Sequence, residues 1–560
     1  MTIDAFLEHW KLIEHPFRGE EARQDALFTR MVDAAVRAAA ENPLRPSRLP
    51  RHPDYDKIAG EFSRPSTAIV FGEKGSGKTA IRLQMATSAA AYNAMNPSRR
   101  VLLVSHDDLA GPLQHLHDRL RTVKRGKEST PLDSLRQMRL ADHVDALLCA
   151  LVPRLVDAAL EQTPPPAASA ERQIDRIDLG PEPRKSLRRL DRALKRDLLV
   201  LQVAYDRPDQ GGERSKELRK ALGLRTPVSV TIETVLAFLG WVVPLAVFLI
   251  LWRRGASVND PVAATAFFVA MGLWLAALLK RAATERLGVL ARSRRLRRQV
   301  RVSNRSESSY ASSIRQLPPG WRPSTLLPSG ESEEVRLQQL SRLVRVVRVF
   351  GYESLVVVVD RVDEPPIIQG DPERMKAVIW PLLSNRFLQT EGVAFKLLLP
   401  IELRHQLMRE SATFFQDARL DKQSMIEQLA WSGVSLYDLA TQRLTACQAL
   451  DASPAQLADI FASDVTPQHL CEVLEQMRQP RDAFKLLYQC IQDHCTQTLG
   501  LQTAARENSA PATGGDTQSL TQPASPEARS PFRIARATLD LARKAQVERL
   551  RLLALGVRPA

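Results

Sequence analysis

Two things are scarce in this chain: cysteine, and acid to balance its base. Its 560 residues hold five cysteines, and 63 Asp+Glu face 78 Lys+Arg for a formal net charge of +15. Cys149, Cys447, Cys471, Cys490 and Cys495 are odd in number and irregular in spacing. A length of 560 residues excludes a disulfide-stapled miniprotein, and the gap in the one close pair, Cys490 and Cys495, fits no common zinc pattern. His494 beside Cys495 reads as structural, and the thiols are expected to be reduced, as in a cytosolic compartment. The N-terminal stretch MTIDAFLEHWKLIEHPFRGEE carries acids and no long apolar core, so it does not read as a secretory signal. Aromatics make up only 6%, but an apolar fraction of 44% excludes a wholly disordered chain. At roughly 150 residues per domain, the length predicts about three or four units.

The acid deficit points to an anionic partner, either nucleic acid or a membrane surface. Its location narrows the choice. Val235–Trp252 (VLAFLGWVVPLAVFLILW) and Pro261–Leu279 (PVAATAFFVAMGLWLAALL) contain no charge. As helices rising 1.5 Å per residue they would each span roughly 27–30 Å, about the thickness of a hydrocarbon core. Residues 212–226 before them hold five basic and two acidic residues, and residues 280–301 after them hold nine basic and one acidic. By the positive-inside bias this predicts a two-span hairpin with both flanks, and both termini, in the cytoplasm. The partner is then inner or plasma membrane lipid, with the run at 280–301 against anionic headgroups. Direct contact with nucleic acid is not expected, a homo-oligomer is, and the sequence identifies no protein partner.

Upstream of the hairpin, an apolar run Ala68-Ile69-Val70-Phe71 precedes Gly72-Glu73-Lys74-Gly75-Ser76-Gly77-Lys78-Thr79 and then an Ala-rich stretch. This is G-x-x-x-x-G-K-[ST] between a predicted strand and a predicted helix. The chemistry needs each part. Glycines let backbone N–H groups wrap phosphates without a Cβ clash, and the helix N-terminus adds its positive dipole end. Lys78 is expected to reach the β- and γ-phosphates, and Thr79 to ligate Mg²⁺. Arg100–Asp107 reads as a second buried strand. Downstream, LVVVVDRVDE at 355–364 predicts a strand buried on both faces. Asp360 at its end is the expected second contact to Mg²⁺. Asp363 and Glu364, just beyond, are the candidates for polarising an attacking water. A helix over 372–388 and a strand over 393–400 follow, so one parallel sheet is expected from two distant parts of the chain.

A P-loop core with a transmembrane hairpin inserted between Walker A and Walker B resembles the KAP family of P-loop NTPases, relatives of the STAND and AAA+ ATPases. The resemblance rests on GEKGSGKT, LVVVVDRVDE and the hairpin, and covers about residues 60–500. It implies an α/β fold, a P-loop NTPase with a parallel sheet and a helical lid, interrupted by a helical insert that carries the hairpin. It further implies a membrane-anchored ATPase using ATP and Mg²⁺, and for bacterial members a part in excluding bacteriophage or foreign DNA. The chain departs from the family's adjacent acids at Arg361, which leaves open whether Asp363 or Glu364 is the catalytic carboxylate. Trp431–Cys447 looks like the segment leading into an AAA+-type lid. RQPRDAFKLLY at 478–488 looks like sensor 2, with Arg478 where glycine is usual, and implies that Arg481 touches the γ-phosphate. No polar sensor 1 residue follows strand 393–400, where Pro400 and Glu402 stand. Arg386, Arg404 and Arg419 are the candidates for an arginine finger.

The expected organisation is then an N-terminal segment and first core half (1–105), a helical insert (106–226) and the hairpin (227–280). A basic segment and return linker (281–350), the second core half (351–445) and the lid (446–496) follow. A disordered linker (497–530) and an amphipathic helix (531–560) end the chain. Within these, 133–160 and 182–206 read as helices, 163–171 as a break, and Ser303–Gly330 as a flexible linker. Two further functions fit the same residues: a signalling or scaffold switch with little turnover, and a soluble AAA+-like nucleic-acid-binding ATPase. The second would be expected to carry a winged-helix domain, which the polar stretch at 497–530 and one following helix do not supply.

Overall fold

Residues 68–71 are apolar and rich in β-branched and aromatic types, which suits an extended chain buried on both faces. They form β1 (Ala68–Gly72), and every residue of it is buried. The same logic gives β2 (Arg100–His106), β3 (Tyr352–Val359) and β4 (Val393–Pro400). A short β5 (Ser424–Ile426), unmarked in the sequence, completes the set. In the computed structural model these strands form one five-stranded sheet in the order β2–β3–β4–β1–β5, parallel throughout. The described residues are 1–18, 25–41, 51–123, 130–162, 177–208, 212–224, 239, 241–253, 261–281, 287–322, 327–328, 330–449, 451–508 and 531–554.

The register positions the chemistry. Gly72 at the end of β1 pairs with Pro400 of β4, and Val359 of β3 pairs with His106 of β2. The glycine-rich loop and Asp360 therefore leave the sheet at the same, C-terminal edge, where open parallel sheets place their ligands. Helix Lys78–Met95 packs its buried residues Ile81, Met85, Ala86 and Ala89 on one face of the sheet, against Val70, Val101 and Val358. The other face carries the segment between β2 and β3. Helices Leu140–Leu160, Arg192–Tyr205 and Glu333–Val349 share one continuous apolar cluster with Ile69, Leu102, Val357 and Leu397. Each Leu or Val buried there contributes about 1.5–3 kcal/mol relative to exposure.

Several expected helices are shorter than predicted. The 133–160 stretch divides into Pro131–Leu135 and Leu140–Leu160, and 182–206 into Pro183–Arg189 and Arg192–Tyr205. The helix expected over 372–388 ends at Ile379 and tightens into a 3₁₀ turn over Trp380–Leu382, where Pro381 cannot donate to the preceding turn. The break at 163–171 lies outside the described residues.

The two-span membrane hairpin, with the membrane localisation and lipid partner built on it, is not borne out. The first apolar run is helical over Val242–Arg253, 12 residues, which rise to only about 18 Å against a core of about 30 Å. Val235–Phe238 and the loop at 254–260 lie outside the described residues. A helix over Pro261–Arg281 follows and packs against the first, with Phe248 and Phe267 in an edge contact at 6.1 Å. Among the described residues no helix is long and apolar enough to cross a membrane. Among the described residues, the helix of the first run is shorter than its eighteen uncharged residues.

Ser303–Gly330 is also a correction. Instead of a flexible linker it contains helix Glu307–Gln316, capped by Ser306, and a 3₁₀ turn at Pro319–Trp321. Serine is small enough here to admit a buried arginine. Arg305 donates from Nε to Ser309 Oγ at 2.9 Å and from Nη1 to the Val203 carbonyl at 2.7 Å. It also donates to Ser313 Oγ, which ties this segment to helix Arg192–Tyr205.

A second apolar cluster lies beyond the sheet. Helices Gly433–Cys447, Pro467–Glu475 and Pro480–Asn508 bury Leu436, Leu444, Leu474, Leu486 and Ile491 together with Phe6 and Phe17 from the N-terminal segment. The long helix runs to Asn508, so the polar stretch expected from residue 497 starts as helix, and 509–530 lies outside the described residues. The last helix, Arg536–Ala554, packs on Pro480–Asn508 and buries Leu539 and Ala542 in the same cluster. All five cysteines are free thiols.

Candidate functional site

A cleft of about 390 Å³ opens where the C-terminal edge of the sheet meets the second cluster. Small-molecule sites typically measure about 300–1,000 Å³. Its floor is the glycine-rich loop and the acids after β3; its roof comes from the helices beyond.

The loop turns where glycine is needed. Gly75 and Gly77 take φ of +99° and +94°, a region that L side chains rarely adopt. A Cβ on Gly75 would also meet Arg481 Cβ at 2.8 Å. Gly77 caps helix Lys78–Met95 without a side-chain bond, and the first residues of that helix line the cleft. Lys78 folds back on its own loop and donates to the carbonyls of Gly72 and Glu73 at 2.7 and 2.9 Å. Burial pulls its ammonium below the ordinary lysine range, against the pull of Asp360, Asp363, Glu402 and Glu73. Ser76 is wholly buried, and among the described residues its hydroxyl has no hydrogen-bond partner.

Thr79 Oγ1 donates to Asp360 Oδ2 at 3.0 Å, joining residues 281 positions apart. Asp360 Oδ1 accepts from the Arg361 amide at 2.9 Å. Burial pushes the Asp360 carboxyl above its usual range, opposed first by Arg82, then by Thr79 and Lys78. Arg361 sits at φ +60°, left-handed for a non-glycine residue, and its guanidinium pairs with Glu364. Asp363 lies in the cleft lining beside the loop and shows no ion pair among the described residues.

The roof is bonded to the floor. Trp431 donates from Nε1 to the Ser76 carbonyl at 2.8 Å, with its ring beside Gly77. Gln479 donates to the Glu73 carboxylate, and Gln428 reaches the same carboxylate at 3.2 Å. Arg478 takes φ +57°, which accounts physically for a glycine preference at that turn. Arg481 lines the cleft over Gly75. Deeper in, Arg443 is buried, pairs with Asp25, and stacks on the Phe484 ring at 4.6 Å.

Of the residues singled out in the sequence, Lys74, Gly75, Gly77, Lys78, Thr79, Asp360, Asp363, Glu364 and Arg481 all line this one cleft. Gly72 ends β1, Ser76 is buried beneath the loop, and Glu73 is spent on the roof glutamines. Arg386, Arg404 and Arg419 do not line it, and Arg404 pairs with Glu427. Sequence reading missed Arg82, Asp107, Trp431, Gln479 and the Asp25–Arg443 pair. Only Arg82 carried a usable signal: it stands one helical turn after Thr79, on the face that Lys78 and Thr79 share.

The donor set suits Mg²⁺. A hydroxyl and a carboxylate oxygen converge on the cleft floor, a donor pair that fits a small hard cation keeping water in its shell. Among the described residues no group of three or more His, Cys, Asp or Glu forms a protein-only metal cage. Comparison of the chain with family models, curated proteins and solved structures finds no match.

Proposed function

We propose that this chain is a P-loop nucleoside-triphosphatase that binds Mg-ATP in the cleft and couples binding or hydrolysis to movement or assembly of its helical parts. One observation carries the reading: Lys78 and Thr79, Asp360 and Asp363, and Arg481 come from three distant stretches of chain into a single cavity. Kinship with the KAP family depended on a transmembrane hairpin, so the kinship proposed is the broader one, with AAA+-like P-loop ATPases.

The roles follow from placement. Lys78 would leave the Gly72 and Glu73 carbonyls for phosphate oxygens, and the loop amides would donate to the same phosphates. Thr79 and Asp360 would hold Mg²⁺, which when bound neutralises charge on the phosphate oxygens. Asp363 would take a proton from the attacking water, since Glu364 is held by Arg361. Arg481 would offset negative charge on the terminal phosphate from the roof.

The test is phosphate release from ATP by wild type and variants. Asp360→Asn and Asp363→Asn are expected to lose about 100-fold or more, while Glu364→Gln stays within about threefold. Equal turnover in all four proteins would reject the assignment. A second reading, a nucleotide switch with little turnover, is favoured by one observation: the Arg361–Glu364 pair removes a carboxylate from water activation. It predicts tight binding with phosphate release near background in wild type itself.

A further inference from the structure

Arg82 is 1% exposed and stands among acids. Its Nη1 donates to Asp107 Oδ2 at 2.7 Å, and its Nε lies 3.5 Å from Asp360 Oδ2. That same Asp360 oxygen accepts the Thr79 hydroxyl. The register explains the cluster. His106 and Val359 are paired across β2 and β3, so Asp107 and Asp360, the next residue on each strand, lie side by side. Arg82 is three residues past Thr79 and four past Lys78, on the same face of helix Lys78–Met95. A buried carboxylate must be paired to stay charged, and the Arg82 guanidinium is the cation that stands against Asp360 Oδ2.

We propose that Arg82 is the internal counter-ion of the metal site, shared by Asp107 and Asp360 in the nucleotide-free chain and released to Asp107 alone when Mg²⁺ arrives at Thr79 and Asp360. A guanidinium against the metal's carboxylate oxygen repels a divalent ion, and in a buried site that repulsion is little screened. Asp107 provides the alternative acceptor. The contact to Asp107 is already the shorter one, so the exchange needs only a small retreat of Nε. Asp107 is 13% exposed against 1% for Asp360, so water helps it to carry the guanidinium's charge. Arg82 is thus a positioning residue that sets how much Mg²⁺ is needed to occupy the site.

The inference rests on the Mg-ATP reading, and the test separates the two. The probe is a fluorescent ATP analogue, titrated on the full chain at stepped MgCl₂ concentrations and in EDTA. Asp107→Asn removes the alternative acceptor, so the half-saturating Mg²⁺ concentration is expected to rise about tenfold. Arg82→Gln removes the competing cation, and the same concentration is expected to fall severalfold. Affinity in EDTA stays within about twofold for both, because neither side chain lines the phosphate loop. The double variant should lie nearer to Arg82→Gln than to Asp107→Asn, since the Arg82 guanidinium is the group that bridges Asp107 to Asp360. A merely structural role would weaken both variants in the same direction, and that result overturns the proposal. If Arg82→Gln does not fold, Asp107→Asn decides alone: an unchanged Mg²⁺ requirement overturns the exchange. Failure of the wild type to bind the analogue would overturn the Mg-ATP reading itself, and this inference with it.

Discussion

The floor of the cleft and its roof hold their places by different means. The floor is anchored in the sheet: Gly72 and Asp360 extend β1 and β3, whose residues are buried on both faces and in register with β4. The roof is anchored in a separate apolar cluster and touches the floor through side-chain bonds from Trp431 and Gln479. A group fixed by a sheet moves only if the sheet does, whereas a group held by a few hydrogen bonds can be released for a few kcal/mol. Under the proposed function, the difference would leave most of the chemistry to the floor and the response to the roof. A nucleotide that drew Lys78 off the Gly72 and Glu73 carbonyls would disturb the same loop that Trp431 and Gln479 grip.

Substitutions graded across the cleft sharpen this contrast. Lys78→Ala removes the charged donor of the floor and is expected to weaken ATP binding by about 100-fold or more, read by equilibrium titration. Gly75→Ala strikes both sides at once. Its backbone at φ +99° and the close Arg481 side chain predict a cost of about 1–3 kcal/mol, seen as a lower Tm together with weaker binding. Trp431→Phe deletes only the indole bond to Ser76, with a loss of about 1 kcal/mol in affinity or stability. Gln428→Ala, at an exposed 3.2 Å contact, should change either quantity by less than about 0.5 kcal/mol. Reversal of the order, with Trp431→Phe costing more than Lys78→Ala, would break the assignment of chemistry to the floor.

The floor was legible in the sequence because its signals are local. A β-branched run, a glycine loop with Lys and Thr, and an acid at a strand end each occupy fewer than about ten consecutive residues, and short-range sterics fix them. The roof was legible in part: Arg481 was reached through its turn, but Trp431 and Gln479 depend on how a distant cluster docks. Asp107 was missed because its place beside Asp360 comes from strand register, which no local pattern encodes. The Ser-rich segment misled in the opposite way. Its serines resemble linker composition, yet Ser306 caps a helix whose Ser309 and Ser313 accept from the buried Arg305. The first apolar run misled through length: among the described residues its helix, Val242–Arg253, is shorter than a span.

The central claim, that floor and roof enclose a nucleotide site, meets its most direct test in calorimetric titration of Mg-ATP into the full chain and into Lys78→Ala. The account predicts one saturable site in the wild type, and loss of that signal in a variant that keeps its Tm within a few degrees. Absence of binding by the wild type, or equal binding by the two proteins, would contradict it.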